Sequence, residues 1–406
     1  MGKPLKLKSN NRIADILRSH ITDYQQQYHL HPEQYKVVFD ILNCRTRYLG
    51  GHIERCDKCG TERHIYHSCR NRHCPTCQQL PREQWLQARK SEVLPVPYFH
   101  IVFTLPHDLN SITLLNKKVM LNILFQSMAE TLMTFAKNEM GGRLGFLAIL
   151  HTWDQLLKSH FHLHCLVPGG AVAPNGTKWM PCRQNYLFNM EALGLVFRGK
   201  FIYHMSRAFQ KGLLKFPGGP ITPYAFKNLK KHLYVHKWVV DVRESFQNPE
   251  HVIEYLGRYT HRVAISNSRI RSFKDGQVTF TYKNRKTNQK EPKCIGAVEF
   301  IKRFLRHALP KRFVRIRHYG FLSNRNKERN LATVRRLMGV SAKKKPKTDS
   351  SVQEAMKNLI GIDITVCPCC RKGKMCFVRE LTKYIGANAA SIIRPPRTSQ
   401  ATFAAG

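Results

Sequence analysis

The alternation of apolar and polar positions divides the chain into helical and extended stretches. Over residues 10–42, Ile13, Ile16 and Leu17, then Val37, Val38, Ile41 and Leu42, recur at helical spacing, which predicts packing helices with one apolar face. A helix around Trp85 and Leu86 is expected over 81–93, and Pro95 and Pro97 then mark a boundary. A β-like run follows at 98–105, ended by Pro106, and a long helix at 111–138, ended by Gly141 and Gly142. Residues 144–153 read as a second strand and 160–167 as a third, closed by Pro168-Gly169-Gly170. The turn between them, at 156–159, predicts an antiparallel hairpin. Helices are expected over 190–215 and 223–234, and a strand over 238–242. Asn248-Pro249-Glu250 is a helix start, with Asn as N-cap and Pro at the first position. Asp275-Gly276 predicts a hairpin turn, 297–307 a basic helix and 313–317 a further strand. From residue 323 the pattern becomes polar and basic, through Lys343-Lys344-Lys345-Pro346-Lys347, and the last twenty residues read as a disordered tail.

Within this frame, His160-Phe161-His162-Leu163-His164 stands out. Strand side chains alternate between faces, so 160, 162 and 164 share one face and the residues between them meet a core. Such alternation is common in half-buried strands without metal. Neutral imidazoles side by side are also ligands for a divalent ion. Gln155 and Asp154 precede them across the hairpin, and opposite facing lets one of the two supply an oxygen. The helix begun at Asn248 carries Tyr255 and Tyr259, at i and i+4 on one face. Aromatic packing alone explains many such pairs. Here Arg258, His261 and Arg262 flank them, a poor core and a good phosphate environment.

Charge strengthens that reading. The chain of 406 residues has 67 Lys and Arg against 26 Asp and Glu, a formal net charge of +41. A polyanion such as DNA is the natural partner. Residues 121–135 are the most apolar stretch, too short to span a bilayer. The first residues, MGKPLKLKSN, lack an apolar signal core. A cytoplasmic, nucleoid-associated bacterial protein is expected. The 13 cysteines are clustered. Cys56-Asp57-Lys58-Cys59 and Cys74-Pro75-Thr76-Cys77 have the spacing of a four-cysteine structural zinc site. Cys69, His73, His67 and His52 are surplus ligands for that ion or for a second one. Arg70 and Arg72 are among the basic residues around the cluster and are candidate DNA contacts. Cys367-Pro368-Cys369-Cys370 contains a further Cys-x-x-Cys, half a site on its own.

A tyrosine can attack a phosphodiester and keep the bond energy as a phosphotyrosine, so no ATP is needed. The chain has no Walker-type loop. A phenol is only roughly one part in a thousand ionised at neutral pH, so help at the phosphate is required. An ion on His162, His164 and an oxygen ligand would polarise it. Two tyrosines on one face allow one to hold a 5′-phosphate while the other cuts.

SCRNRHCPTCQ, TWDQ, HFHLHCLVPGGAV, YLGRYTHRVAISN and RHYGFLSN, in this order along the chain, resemble the rolling-circle insertion-sequence transposases of the IS91 type. These are two-tyrosine members of the HUH nuclease superfamily, and the likeness spans most of 40–325. Asp154 stands where the family has glycine. The resemblance implies an α+β fold. A small helical and zinc-binding domain (1–95) would precede an HUH nuclease domain with a central antiparallel sheet flanked by helices (96–325). A basic linker and tail (326–406) would follow. It further implies His162 and His164 as the metal pair, Gln155 as third ligand, Tyr255 and Tyr259 as nucleophiles, and His160 as a DNA-binding or supporting residue. The implied substrate is single-stranded DNA at the element ends, with Mg²⁺ or Mn²⁺ in catalysis and structural Zn²⁺. A plasmid replication initiator or relaxase of the same chemistry, and a non-catalytic zinc DNA-binding protein, are the rival readings.

Overall fold

The computed structural model describes residues 12–183, 186–246, 251–252, 255, 257, 259–284, 286–341, 356–357, 361–384 and 392–394, with side chains 243–246 excepted. The chain opens with helices α1 (Ile13–Gln27) and α2 (Pro32–Leu42). Strands β1 (Gly51–Cys56) and β2 (Glu62–Tyr66) follow, then α3 (Gln79–Lys90). The central sheet is built from β3 (Tyr98–Thr104), β4 (Gly145–Trp153), β5 (Ser159–Pro168), β8 (Val240–Phe246) and β12 (Ile316–Gly320). Its order is β12-β4-β5-β3-β8, and every neighbouring pair is antiparallel. A small ribbon, β6 (Gly170–Val172) and β7 (Trp179–Pro181), follows the end of β5. The mixed α+β class with a central antiparallel sheet is therefore as expected.

The period-2 pattern explains the two faces of this sheet. Phe99, Ile101 and Phe103, Phe146, Ala148 and Leu150, and Phe161, Leu163, Cys165 and Val167 all point into one core. That core is closed by α5 (Lys117–Met140) and α6 (Met190–Gln210), with α7 (Pro223–Val235) beside them. α5 is long and apolar enough to cross a bilayer by length and composition. Its apolar side chains are instead spent on this core: Leu121, Leu124, Phe125, Met128 and Leu132 are all buried in it. The opposite face carries Leu147, Ile149 and Leu166 at one end and the histidines of the hairpin at the other.

The expected helix over 111–138 is interrupted. Asn116 leaves helical geometry, and its amide holds the carbonyls of Ile112 at 2.8 Å and Lys215 at 2.6 Å. This ties α5 to the loop after α6 and leaves a short α4 (Asn110–Leu115) before it. The Asp275-Gly276 turn is as expected. β9 (Ile270–Lys274) and β10 (Gln277–Lys283) meet across it, and both turn residues have positive φ, 49° and 69°, as a two-residue hairpin of this type requires. With β11 (Lys290–Gly296) they form a three-stranded sheet that leads into the helix Ala297–Leu305.

The segment expected as linker and tail is partly ordered. A helix, Lys327–Leu337, packs Leu331 and Val334 beside Leu86 and Val252. Strand β13 (Met375–Leu381) returns to the N-terminal region and pairs with β1, giving a sheet β13-β1-β2. A polar, basic composition hid this strand, because its stability comes from a remote partner. The lysine run at 343–347 and the helix start at Asn248 lie outside the described residues.

His307 links the central hairpin to the helix Ala297–Leu305. Its Nε2–H donates to the Leu157 carbonyl and its Nδ1 accepts the Thr152 hydroxyl, each at 3.1 Å. Burial pushes its pKa down to about 3. It is neutral in the fold and protonates in the unfolded chain below about pH 6.5. The unfolded chain therefore binds more protons between these values. The contribution of His307 is complete above pH ~6.5 and is lost at about 1.4 kcal/mol per pH unit on acidification. Urea unfolding at pH 7.5 and pH 5.5 should show this loss, and His307→Gln should reduce the difference by about that amount. An unchanged difference in the variant would count against a neutral, buried His307.

Candidate active site

The hairpin of β4 and β5 places His151 directly opposite His162, while His164 lies opposite Ile149 on the same ladder. One ring nitrogen each from His151, His162 and His164 lies within 4.8 Å of the others. Hydrogen bonds set their tautomers. His162 Nδ1–H donates to the His160 carbonyl at 2.8 Å, which makes Nε2 its acceptor nitrogen. His151 Nε2–H donates to the Tyr259 carbonyl at 3.0 Å, which makes Nδ1 the acceptor. Burial pushes the His151 pKa down to about 3. His164 is held well below the usual histidine range, first by burial and then by the neighbouring His151, His162 and His100. Three imidazoles on one face, with the acceptor nitrogens of His151 and His162 set by hydrogen bonds, fit a divalent metal ion.

The tyrosines come to the same place. Tyr255 and Tyr259 are helical residues, with ring centroids 4.8 Å apart. The Tyr259 ring lies 4.1 Å from that of His164. The Tyr255 hydroxyl is 2.5 Å from Nδ1 of His100, whose Nε2 is 2.9 Å from Nδ1 of His164. His100, on β3, thus connects one tyrosine to the histidine cluster by two hydrogen bonds. Gly257, between the tyrosines, lets this turn press against α3. A Cβ there would come within 2.8 Å of the Arg82 guanidinium and 3.0 Å of Leu86. Val252, one turn earlier, is fully buried beside Leu86.

A cavity of about 730 Å³ opens in front of these groups, lined by the three histidines of the cluster and His100, with Tyr259, Arg262, Arg269 and Lys283 among others. Its basic side chains outnumber the two carboxylates of the lining, Asp154 and Asp241. Arg269 donates to the carbonyls of Thr281 at 2.8 Å and Gln155 at 2.5 Å, and burial pushes its pKa down to about 10. Arg315, beneath the site, donates to the Arg262 carbonyl at 3.1 Å. Carbonyl partners hold these guanidiniums in place and leave their positive charge to act on whatever enters.

Gln155 lies in the turn after β4 and lines the cavity. Asp154 lines it too, but its Oδ1 accepts the amides of Leu156 at 2.9 Å and Lys158 at 2.7 Å and so shapes the turn. His160 also lines the cavity, with its Nδ1 3.3 Å from Nε2 of His107. Arg258 falls outside the described residues. Arg70 is exposed, with φ 53°. Arg72, grouped with it as a DNA contact, is half-buried and donates to the Phe313 carbonyl. Sequence reasoning missed His151 and His100. Each is a single histidine in an apolar strand, and only their shared face with 162 and 164 distinguishes them from core residues.

The cysteines require a correction. Cys56, Cys59, Cys74 and Cys77 do not converge on one point. Cys74 and Cys77 meet Cys44 and Cys69, with Sγ separations of 3.3 Å (Cys44–Cys77), 3.7 Å (Cys69–Cys77) and 3.7 Å (Cys44–Cys74). A tetrahedron with Zn–S bonds of 2.3 Å has edges of about 3.8 Å. Cys56 and Cys59 meet Cys367 and Cys370. Spacing alone does not pair the knuckles, because any two can close a site and β13 brings a remote pair beside β1.

Residues 145–330 match a family described as "Putative transposase", and residues 16–105 match a "Transposase zinc-binding domain". The chain is 42% identical over 377 residues to "Putative transposase y4qJ" of Sinorhizobium fredii, covering 91% of this chain and 95% of that protein. It is 26% identical over 306 residues to the transposase for insertion sequence element IS801 of Pseudomonas savastanoi pv. phaseolicola, covering 71% and 70%. No solved structure matches the chain. With one relative aligned along nearly its whole length and both domains matched in order, the chain belongs to the IS91-type transposases.

Proposed function

We propose that this transposase cleaves and rejoins single-stranded DNA at the ends of its element through tyrosine nucleophiles, by the rolling-circle route. The observation that carries the proposal is the convergence of Tyr255 and Tyr259 on a cluster of histidines inside a basic cavity. His162, His164 and His151 would hold a divalent ion, with Gln155 at the cavity wall as an oxygen ligand. When bound, the ion would supply Lewis-acid polarisation of the scissile phosphate. Three imidazoles favour Mn²⁺ over the harder Mg²⁺.

The remaining work falls to the chain's own groups. A tyrosine oxygen attacks phosphorus and forms the P–O bond of a 5′-phosphotyrosine. The phenolic proton passes to solvent, the bond to the 3′-oxygen breaks, and that oxygen takes up a proton from water and leaves as a 3′-hydroxyl. If His164 presents Nε2 to the ion, its Nδ1–H donates to His100 Nε2. The His100 proton then lies on Nδ1, aimed at the Tyr255 oxygen, where it favours the phenolate. His100 is thus a positioning residue for Tyr255. Arg262, Arg269 and Lys283 hold the DNA phosphates. Cys44, Cys69, Cys74 and Cys77 would carry structural zinc in the matched zinc-binding domain.

The test is incubation of the full chain with labelled single-stranded DNA carrying the element ends, with Mn²⁺, Mg²⁺ or EDTA. A covalent protein–DNA band is expected with metal, stronger with Mn²⁺, and none with EDTA. Binding without any adduct on the correct ends would favour a non-catalytic DNA-binding protein.

A further inference from the structure

Cys367 and Cys370 lie outside both matched regions, which end at residues 105 and 330. They nevertheless close a four-cysteine cluster with Cys56 and Cys59. Cys56 Sγ is 3.7 Å from Cys370 Sγ, and Cys59 Sγ is 3.6 Å from Cys367 Sγ. These separations exclude a disulfide, whose sulfurs lie about 2.05 Å apart. They match the edges of about 3.8 Å expected of a zinc tetrathiolate.

The backbone around the sulfurs points the same way. The amides of Lys58 and Cys59 donate to Cys56 Sγ at 3.4 and 3.5 Å. On the other side, the Gly373 amide donates to Cys370 Sγ at 3.3 Å. Both pairs therefore sit in knuckles whose N–H groups favour thiolate over thiol. The knuckles also grip each other. Asp57 N–H donates to the Lys374 carbonyl at 3.0 Å, and Lys374 N–H donates to Asp57 Oδ1 at 2.8 Å. At Gly373 a Cβ would lie 2.4 Å from Cys56 Sγ, so only glycine permits this approach. Cys369 and Cys376, nearby in sequence, are exposed and stand outside the cluster.

We infer that Cys56, Cys59, Cys367 and Cys370 form a second structural zinc site, which fastens the C-terminal segment to the N-terminal zinc-binding region. Four thiolates, with no nitrogen or oxygen donor, suit Zn²⁺ in a closed structural site rather than a catalytic one. The site does not depend on the nuclease chemistry, so no DNA cleavage is needed to test it.

The experiment is native mass spectrometry with elemental analysis of the full chain. Two zinc ions per chain are expected in wild type. Cys367→Ser combined with Cys370→Ser should leave one, and Cys74→Ser combined with Cys77→Ser should leave the other. A second measurement needs no variant. Wild type is alkylated with iodoacetamide before and after metal removal by a chelator, and peptides are mapped. Cys56, Cys59, Cys367 and Cys370 should be protected until the metal is removed, with Cys369 and Cys376 labelled throughout. One zinc in wild type, iron in place of zinc, or equal labelling of Cys367 and Cys370 before and after chelation would overturn the inference.

Discussion

Tyr255→Phe combined with Tyr259→Phe is expected to abolish the covalent protein–DNA adduct while leaving the fold and DNA binding in place. Phenylalanine keeps the ring contacts, including the 4.8 Å pair between the two rings and the 4.1 Å contact of residue 259 with His164. What is lost is the oxygen that would attack phosphorus, and no neighbouring side chain can replace it at the same position. The hydrogen bond of Tyr255 to His100 is lost as well, at a cost of roughly 1 kcal/mol in stability. The single variants separate the two tyrosines. A variant that still forms the first adduct retains the first nucleophile. If it then fails to complete strand transfer, the missing tyrosine acts second. An adduct of undiminished yield in the double variant would place the nucleophile elsewhere and remove the main support for the proposed chemistry.

His162→Ala combined with His164→Ala carries the second largest expected effect. Two of the three imidazoles of the cluster disappear, and His151 alone cannot retain a divalent ion at ordinary concentrations. Adduct formation should fall by at least about 10²–10³-fold, the scale seen when one preorganised electrostatic contact to a reacting centre is removed. Added Mn²⁺ should not restore it. The His164 change also breaks the link through His100 to Tyr255. His162→Ala alone removes one ligand and the hydrogen bond to the His160 carbonyl, while His164, His100 and Tyr255 keep their side chains. Affinity for single-stranded DNA should change little, since Arg262, Arg269 and Lys283 remain. Its salt dependence should keep a slope of about −0.7 per phosphate contact. Undiminished metal-dependent cleavage in the double variant would show that the ion is held by other groups.

Much of the central sheet was legible because its residues obey a local rule. Alternation at 160–164 placed three histidines on one face, and the i, i+4 spacing placed both tyrosines on another. Neither rule indicates that the two faces meet. That depends on β3 lying between β5 and β8, and on the tyrosine turn packing close to Arg82 and Leu86 of α3 at Gly257. His100 and His151 escaped notice because one polar residue in an apolar strand has no periodicity of its own. The cysteines show the same limit more sharply. A pair of Cys-x-x-Cys motifs at suitable spacing implied a single site, but the pairing is decided by strands that meet across some three hundred residues of chain. Asn116 breaks α5 for a similarly remote reason, since its partner is the carbonyl of Lys215.

The pairing of β13 with β1 also has a consequence for the order in which the protein is made. At about 5–20 residues per second, a ribosome that has just released β1 needs on the order of 15–60 s to reach β13. During that interval β1 has a partner on one side only, β2, and its other edge offers unpaired N–H and C=O groups. Nascent chains, and fragments truncated before residue 375, share this open edge. They are the species in which edge-to-edge association is to be expected. Expression of this transposase should therefore yield more folded protein when synthesis runs to the end of β13, and a purification tag is better placed at the N-terminus than spliced into the returning strand.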